Sequence, residues 1–94
     1  MGATAIGAGS DATADNATAI GRSSDATADN ATAIGFASDA TALNSSALGI
    51  FAQAEGAGAT AIGGGNNISQ SARASGEGSV ASVSYTHLTL PTKA

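Results

Sequence analysis

A glycine returns every 14 residues through most of this chain. Gly7, Gly21, Gly35, Gly49 and Gly63 stand in strict register. Ahead of them run an alanine column (Ala5, Ala19, Ala33, Ala47, Ala61) and an aliphatic column (Ile6, Ile20, Ile34, Leu48, Ile62). A fixed short period means one structural unit stacked on copies of itself. Such a chain is built for a structural or binding role rather than for catalysis.

Fourteen residues are also two heptads, but a coiled coil fails on chemistry. Each repeat offers one large aliphatic, a glycine follows it directly, and Thr, Asn, Asp and Gly fill the rest. None of these favours a helix. A β-solenoid coil fits better. In Ala17-Thr18-Ala19-Ile20-Gly21 the period of two sets Thr18 and Ile20 on one face and Ala17 and Ala19 on the other. Asp25-Ala26-Thr27-Ala28-Asp29 alternates again. Asn30 and Gly21, which both tolerate positive φ, punctuate the two segments. The expected fold is all-β: a single-stranded parallel solenoid of 14-residue coils, each with two short strands and two bends.

The columns assign the faces. Stacked coils lie ~4.8 Å apart, so the acidic columns Asp11/Asp25/Asp39 and Asp15/Asp29 must face water. Ala12, Ala14 and their repeats then face inward, and the Ile6/Ile20/Ile34/Leu48/Ile62 column is expected beside them as the buried core. The methyl face made by Ala3, Ala5 and their repeats is expected to stay free for a second chain. One aliphatic per coil makes a thin core, so an oligomer is expected.

The period then shifts. Residues 52–61 recur as residues 72–81, an offset of 20, with six residues inserted after Gly63, within 64–71. An insertion at a bend loops outward without moving the ladder. After Ala81 the repeat breaks off in mid-motif. Residues 82–94 hold the one Tyr, His, Pro and Lys of the chain. This tail reads as a foreign join, of the kind translated adaptor sequence makes, and is set aside from functional reasoning. The repeat region is thus 1–81, about five to six coils. Repeat sequence follows Met1 at once, so the chain reads as a fragment or an internal start.

Several recurring blocks of the form N-[AS]-[TS]-A-[IL]-G, followed by A-x-A-x-G or S-D-A-T-A segments, resemble the head repeats of trimeric autotransporter adhesins (YadA-like heads). Gly78-Ser79-Val80-Ala81 matches the start of that family's S-V-A-I-G signature. The resemblance covers residues 2–81. It implies a left-handed parallel β-roll and a homotrimer displayed on the bacterial surface, anchored in the outer membrane through regions outside this sequence. It also implies binding to matrix proteins, host cells or other bacteria. No neck, stalk or anchor motif stands here, and many copies carry Ala-Thr where Ser-Val is typical.

The residues themselves show no catalytic, cofactor-binding or metal-binding set. His87 is the sole histidine and lies in the tail. The carboxylates form columns rather than a converging pair, the nonapeptide calcium pattern is missing, and there is no Cys. The net charge of −4, seven acids against three bases, argues against nucleic acid. No apolar run approaches ~18 residues. The sequons at Asn16, Asn30 and Asn44 coincide with the corner asparagines, which leaves Asn67 as the accessible one. The Thr13/Thr27/Thr41 column resembles an ice-binding face, but its Asp flanks match an ice lattice poorly.

Variation is concentrated at the bend after each glycine. Ala8, Arg22, Phe36, Ile50 and Gly64 form one column; Gly9, Ser23, Ala37, Phe51 and Gly65 form the next. Here the chain departs from its own consensus with large side chains. Arg22, Phe36, Ile50 and Phe51 are therefore the candidate partner contacts, either for a ligand on an exposed apolar strip or for a neighbouring chain. The expected function is a non-catalytic adhesin head that attaches by multivalent contact. The rivals are a passive spacer in a surface fibre and an ice-binding solenoid.

Overall fold

The computed structural model describes residues 2–65 and 71–82. All its regular elements are strands. They are β1 (Thr4–Ile6), β2 (Asp11–Ala12), β3 (Thr18–Ile20), β4 (Asp25–Ala26), β5 (Thr32–Ile34), β6 (Asp39–Ala40), β7 (Ser46–Leu48), β8 (Gln53–Ala54), β9 (Thr60–Ile62), β10 (Arg73–Ala74) and β11 (Val80–Ala81). Odd-numbered strands form one parallel sheet, β1-β3-β5-β7-β9-β11. Even-numbered strands form a second, β2-β4-β6-β8-β10. The chain passes from one sheet to the other twice per coil, as the period predicts.

Register follows the repeat. Ala5 pairs with Ala19, Ala19 with Ala33, and Ala33 with Ala47, always 14 residues on. Across the insertion Gln53 pairs with Arg73 and Thr60 with Val80, 20 residues on. The bend absorbs the change. The amide of Ala52 donates to Gly49 O at 3.2 Å to close its turn, and Ala72 N donates to Gly63 O at the same distance. The ladder thus continues beyond the insertion; residues 66–70 themselves lie outside the described set.

Both corners are four-residue turns with a positive φ at the third position, the geometry that favours Gly or Asn there. At one corner that position holds Asn16, Asn30 and Asn44, with φ of 60–61°. Asn16 Nδ2 donates to Asn30 Oδ1 at 3.3 Å, and Asn30 Nδ2 to Asn44 Oδ1 at 3.1 Å. The amide ladder and the left-handed backbone together account for the three corner sequons. The other corner opens with the glycine column. Gly21 has φ +127°, and a Cβ placed on it would lie 2.8 Å from the carbonyl carbon of Gly35. The column is glycine because backbone stacks directly on backbone there.

The interior differs from the expectation on one point. Ala17, Ala19, Ala31, Ala33, Ala47, Ala59 and Ala61 are fully buried, together with Ala26, Ala40 and Ala54 from the opposite sheet. The Ala12-type column faces inward as expected, and the Asp columns face outward: Asp11 is exposed, and Asp25 and Asp39 are half-buried. The aliphatic column, however, points out. Ile6 is 57% exposed, Ile34 37% and Ile62 43%; Ile20 and Leu48 are half-buried. The Ala5-type face is the core, and the Ile column is the free face. The reason is room. Glycine corners and short turns hold the two sheets so close that only methyls and small hydroxyls fit between them. Ser24, Ser38 and Ser45 complete this layer, with Ser24 Oγ donating to Gly21 O (2.9 Å) and Ser45 Oγ to Ala42 O (2.6 Å).

Candidate functional site

The variable corner is an organised cluster. Arg22, Phe36 and Ile50 occupy the second position of successive turns, one above another, and Phe51 follows at the third. The Arg22 guanidinium carbon lies 5.7 Å from the centroid of the Phe36 ring, within cation–π range. Phe36 and Phe51 meet edge to face, with centroids 5.5 Å apart and planes at 72°, a preferred aromatic arrangement. Phe36 is 39% exposed and Ile50 46%. Sequence reasoning selected all four residues, and the structure gathers them on one corner.

Phe51 carries a cost that the sequence does not announce. Its φ is +62°, where its column neighbours are Gly9, Ser23 and Ala37. A bulky residue in the left-handed region is a genuine outlier, costing roughly 1–2 kcal/mol. Its amide bonds to Phe36 O at 3.0 Å, so the corner ladder holds the strained backbone in place. The same positive φ recurs at Ser23 and Ala37 in this column, so the turn imposes it and Phe51 is its bulkiest occupant.

A second surface was missed. The outer face of the odd-numbered sheet carries two adjacent columns, Thr4/Thr18/Thr32/Ser46/Thr60 and Ile6/Ile20/Ile34/Leu48/Ile62, in register from β1 to β9. This stripe runs beside the glycine corner, so it borders the aromatic cluster. The signal was already in the sequence. Alanine is invariant between Thr or Ser and Ile or Leu from β1 to β9, and invariance in size is what a tight interior demands.

The outer face of the other sheet is polar. Burial, and then the charge of Asp25, hold the Asp39 carboxyl above its ordinary value, while a hydrogen bond from Gln53 pulls the other way. Gln53 and Arg73 continue the Asp11/Asp25/Asp39 column, which ends the run of like charges. Arg73 Nε lies 3.0 Å from Glu55 Oε1. Thr13, Thr27 and Thr41 form an exposed column on this face.

The family model described as YadA head domain repeat (2 copies) matches residues 1–24, 12–38 and 40–66. The chain belongs to this family. YadA head repeats are the head repeats of trimeric autotransporter adhesins, so the chain is an adhesin head segment of that kind, and YadA head domains are adhesin repeats rather than enzymes. No curated protein and no solved structure matches the chain significantly. Among the described residues no helix is long and apolar enough to cross a membrane.

Proposed function

We propose that this YadA head segment forms a homotrimer through its Thr/Ile stripe and attaches a bacterial surface to matrix proteins, host cells or other bacteria by multivalent contact. The supporting observation is the stripe itself. Five aliphatic side chains stand in one line on a parallel sheet, on a chain whose own interior is alanine and serine. Contiguous apolar surface of this kind marks an interaction site. Burying each Ile or Leu contributes about 1.5–3 kcal/mol, so three chains that turn their stripes to a common axis gain the core that each lacks alone. Outer-membrane anchoring belongs to the same reading and is supplied by other parts of the protein.

With the stripe turned inward, the Asp/Thr sheet faces away from the axis. Its rows repeat every ~4.8 Å, and a trimer presents them three times. Weak contacts then sum through effective concentration. The Arg22/Phe36/Ile50/Phe51 corner is a protein contact surface in the same assembly.

The test compares the chain with an Ile20→Lys/Ile34→Lys variant. The original sediments as a trimer and binds immobilised matrix proteins or cells; the variant sediments as a monomer and loses binding by about two orders of magnitude. A trimer that binds none of these surfaces is a passive spacer. Thermal hysteresis abolished by Thr27→Lys would replace the adhesin reading with ice binding.

A further inference from the structure

Cyclic assembly constrains the corners as well as the stripe. In a ring of parallel chains every neighbour contact is heterologous, so the glycine corner of one chain meets the asparagine corner of the next. Rotation about the axis leaves heights unchanged. The two corners must therefore match rung by rung.

They do match. The second turn position of the glycine corner reads Ala8, Arg22, Phe36, Ile50 along the solenoid. The same position at the asparagine corner reads Asp15, Asp29, Leu43, Ala57. Arg22 lies half a coil from both Asp15 and Asp29, Phe36 half a coil from Asp29 and Leu43, and Ile50 half a coil from Leu43 and Ala57. The glycine-corner column turns apolar after Arg22 and the asparagine-corner column after Asp29, half a coil further on, so Arg22 is flanked by carboxylates and Ile50 by apolar side chains. Leu43 is 50% exposed on its own chain, like Ile50 and Phe36 opposite. Arg22 is exposed and its interaction within the chain is with the Phe36 ring, whereas the other described arginine, Arg73, already holds Glu55.

We infer that the aromatic corner is the seat for a second copy of this chain: Arg22 faces the partner's Asp29 row, and Phe36, Ile50 and Phe51 cover the partner's Leu43. The inference rests on the trimer reading above and deepens it. The ion pair sets which rungs align. The apolar rungs above it supply burial. A register slipped by one coil would put Phe36 between two carboxylates, so the charged rung selects against slippage. The Phe51 ring, edge to face with Phe36, braces the ring that the partner's Leu43 would meet.

Paired cysteines test this directly on the full chain. Under mild oxidation Phe36→Cys/Leu43→Cys should yield covalent dimers and trimers on a denaturing gel without reductant. Each single-cysteine variant should stay monomeric on that gel. Arg22→Glu should weaken the trimer about tenfold, and adding Asp29→Arg should restore it. If the original chain sediments as a trimer but the double-cysteine variant does not cross-link, or the charge swap does not rescue, the corner pairing is wrong and the trimer stands. If the original chain sediments as a monomer, both readings fall.

Discussion

Gly35 stacks on Gly49 so closely that a methyl group on Gly35 would lie 2.7 Å from the Gly49 carbonyl oxygen, and its φ of +129° already excludes most side chains. Sterics and backbone conformation give the same answer at Gly7, Gly21 and Gly49. Gly35→Ala should therefore cost at least about 2 kcal/mol, read as a drop in denaturant midpoint. Unchanged stability would mean that the coils are not stacked backbone on backbone.

The two neighbours Ala33 and Ile34 should respond in opposite ways. Ala33 is fully buried between the sheets, and overfilling such a site costs about 1–3 kcal/mol or more. Ala33→Leu should lower stability at every protein concentration. Ile34→Ser should leave the coil intact and act on association alone, so its effect on melting temperature should be full at concentrations where the original chain is assembled and fade at dilutions where both chains are monomers. Sedimentation and dilution-dependent melting of the two variants separate these outcomes.

The asparagine ladder can be dissected by paired substitutions. Asn30→Gly keeps the left-handed backbone at φ +61° but loses the bonds to Asn16 and Asn44. Asn30→Ala loses both. The expected loss is about 0.5–1 kcal/mol for Gly, and about 1 kcal/mol more for Ala. Equal losses would mean that the side-chain ladder, not the backbone, decides this position.

Stability should depend on pH through Asp39, with a sign opposite to that of a salt-bridged carboxylate. Its folded pKa lies above the ordinary 3.8, because burial and the Asp25 charge disfavour the ionised form. Above the raised value both states are charged and the fold bears the full electrostatic cost. Between that value and 3.8 the folded state binds more protons than the unfolded one, so stability rises as the pH falls. Below 3.8 the cost is gone. Asp39→Asn should raise the melting temperature at pH 7 and lose this advantage on acidification toward pH 4. A variant less stable at pH 7 would show that the carboxylate supports the fold.

Much of this molecule was legible in its sequence. The 14-residue period dictated stacking, because a repeat that short cannot bury its own apolar face. Alternation in Thr18-Ala19-Ile20 and Asp25-Ala26-Thr27 specified the strands. Asn30 and Gly21 marked the corners, since both accept positive φ. The break in period after Gly63 located the insertion, and the departures at Arg22, Phe36, Ile50 and Phe51 located the candidate contact corner. Alternation separates two faces, however, and does not say which is inside. The larger side chain was assigned to the core on the rule that aliphatics are buried. Only the tertiary structure reversed that assignment, because the spacing between sheets is set by the corners of the coil and leaves room for Ala and Ser alone. The same closeness put Ile34 on the surface, beside Phe36 and in line with Ile20 and Leu48. Contact between Arg22, Phe36 and Phe51 was likewise decided in three dimensions, where stacking brings residues 14 and 15 apart in sequence onto neighbouring rungs.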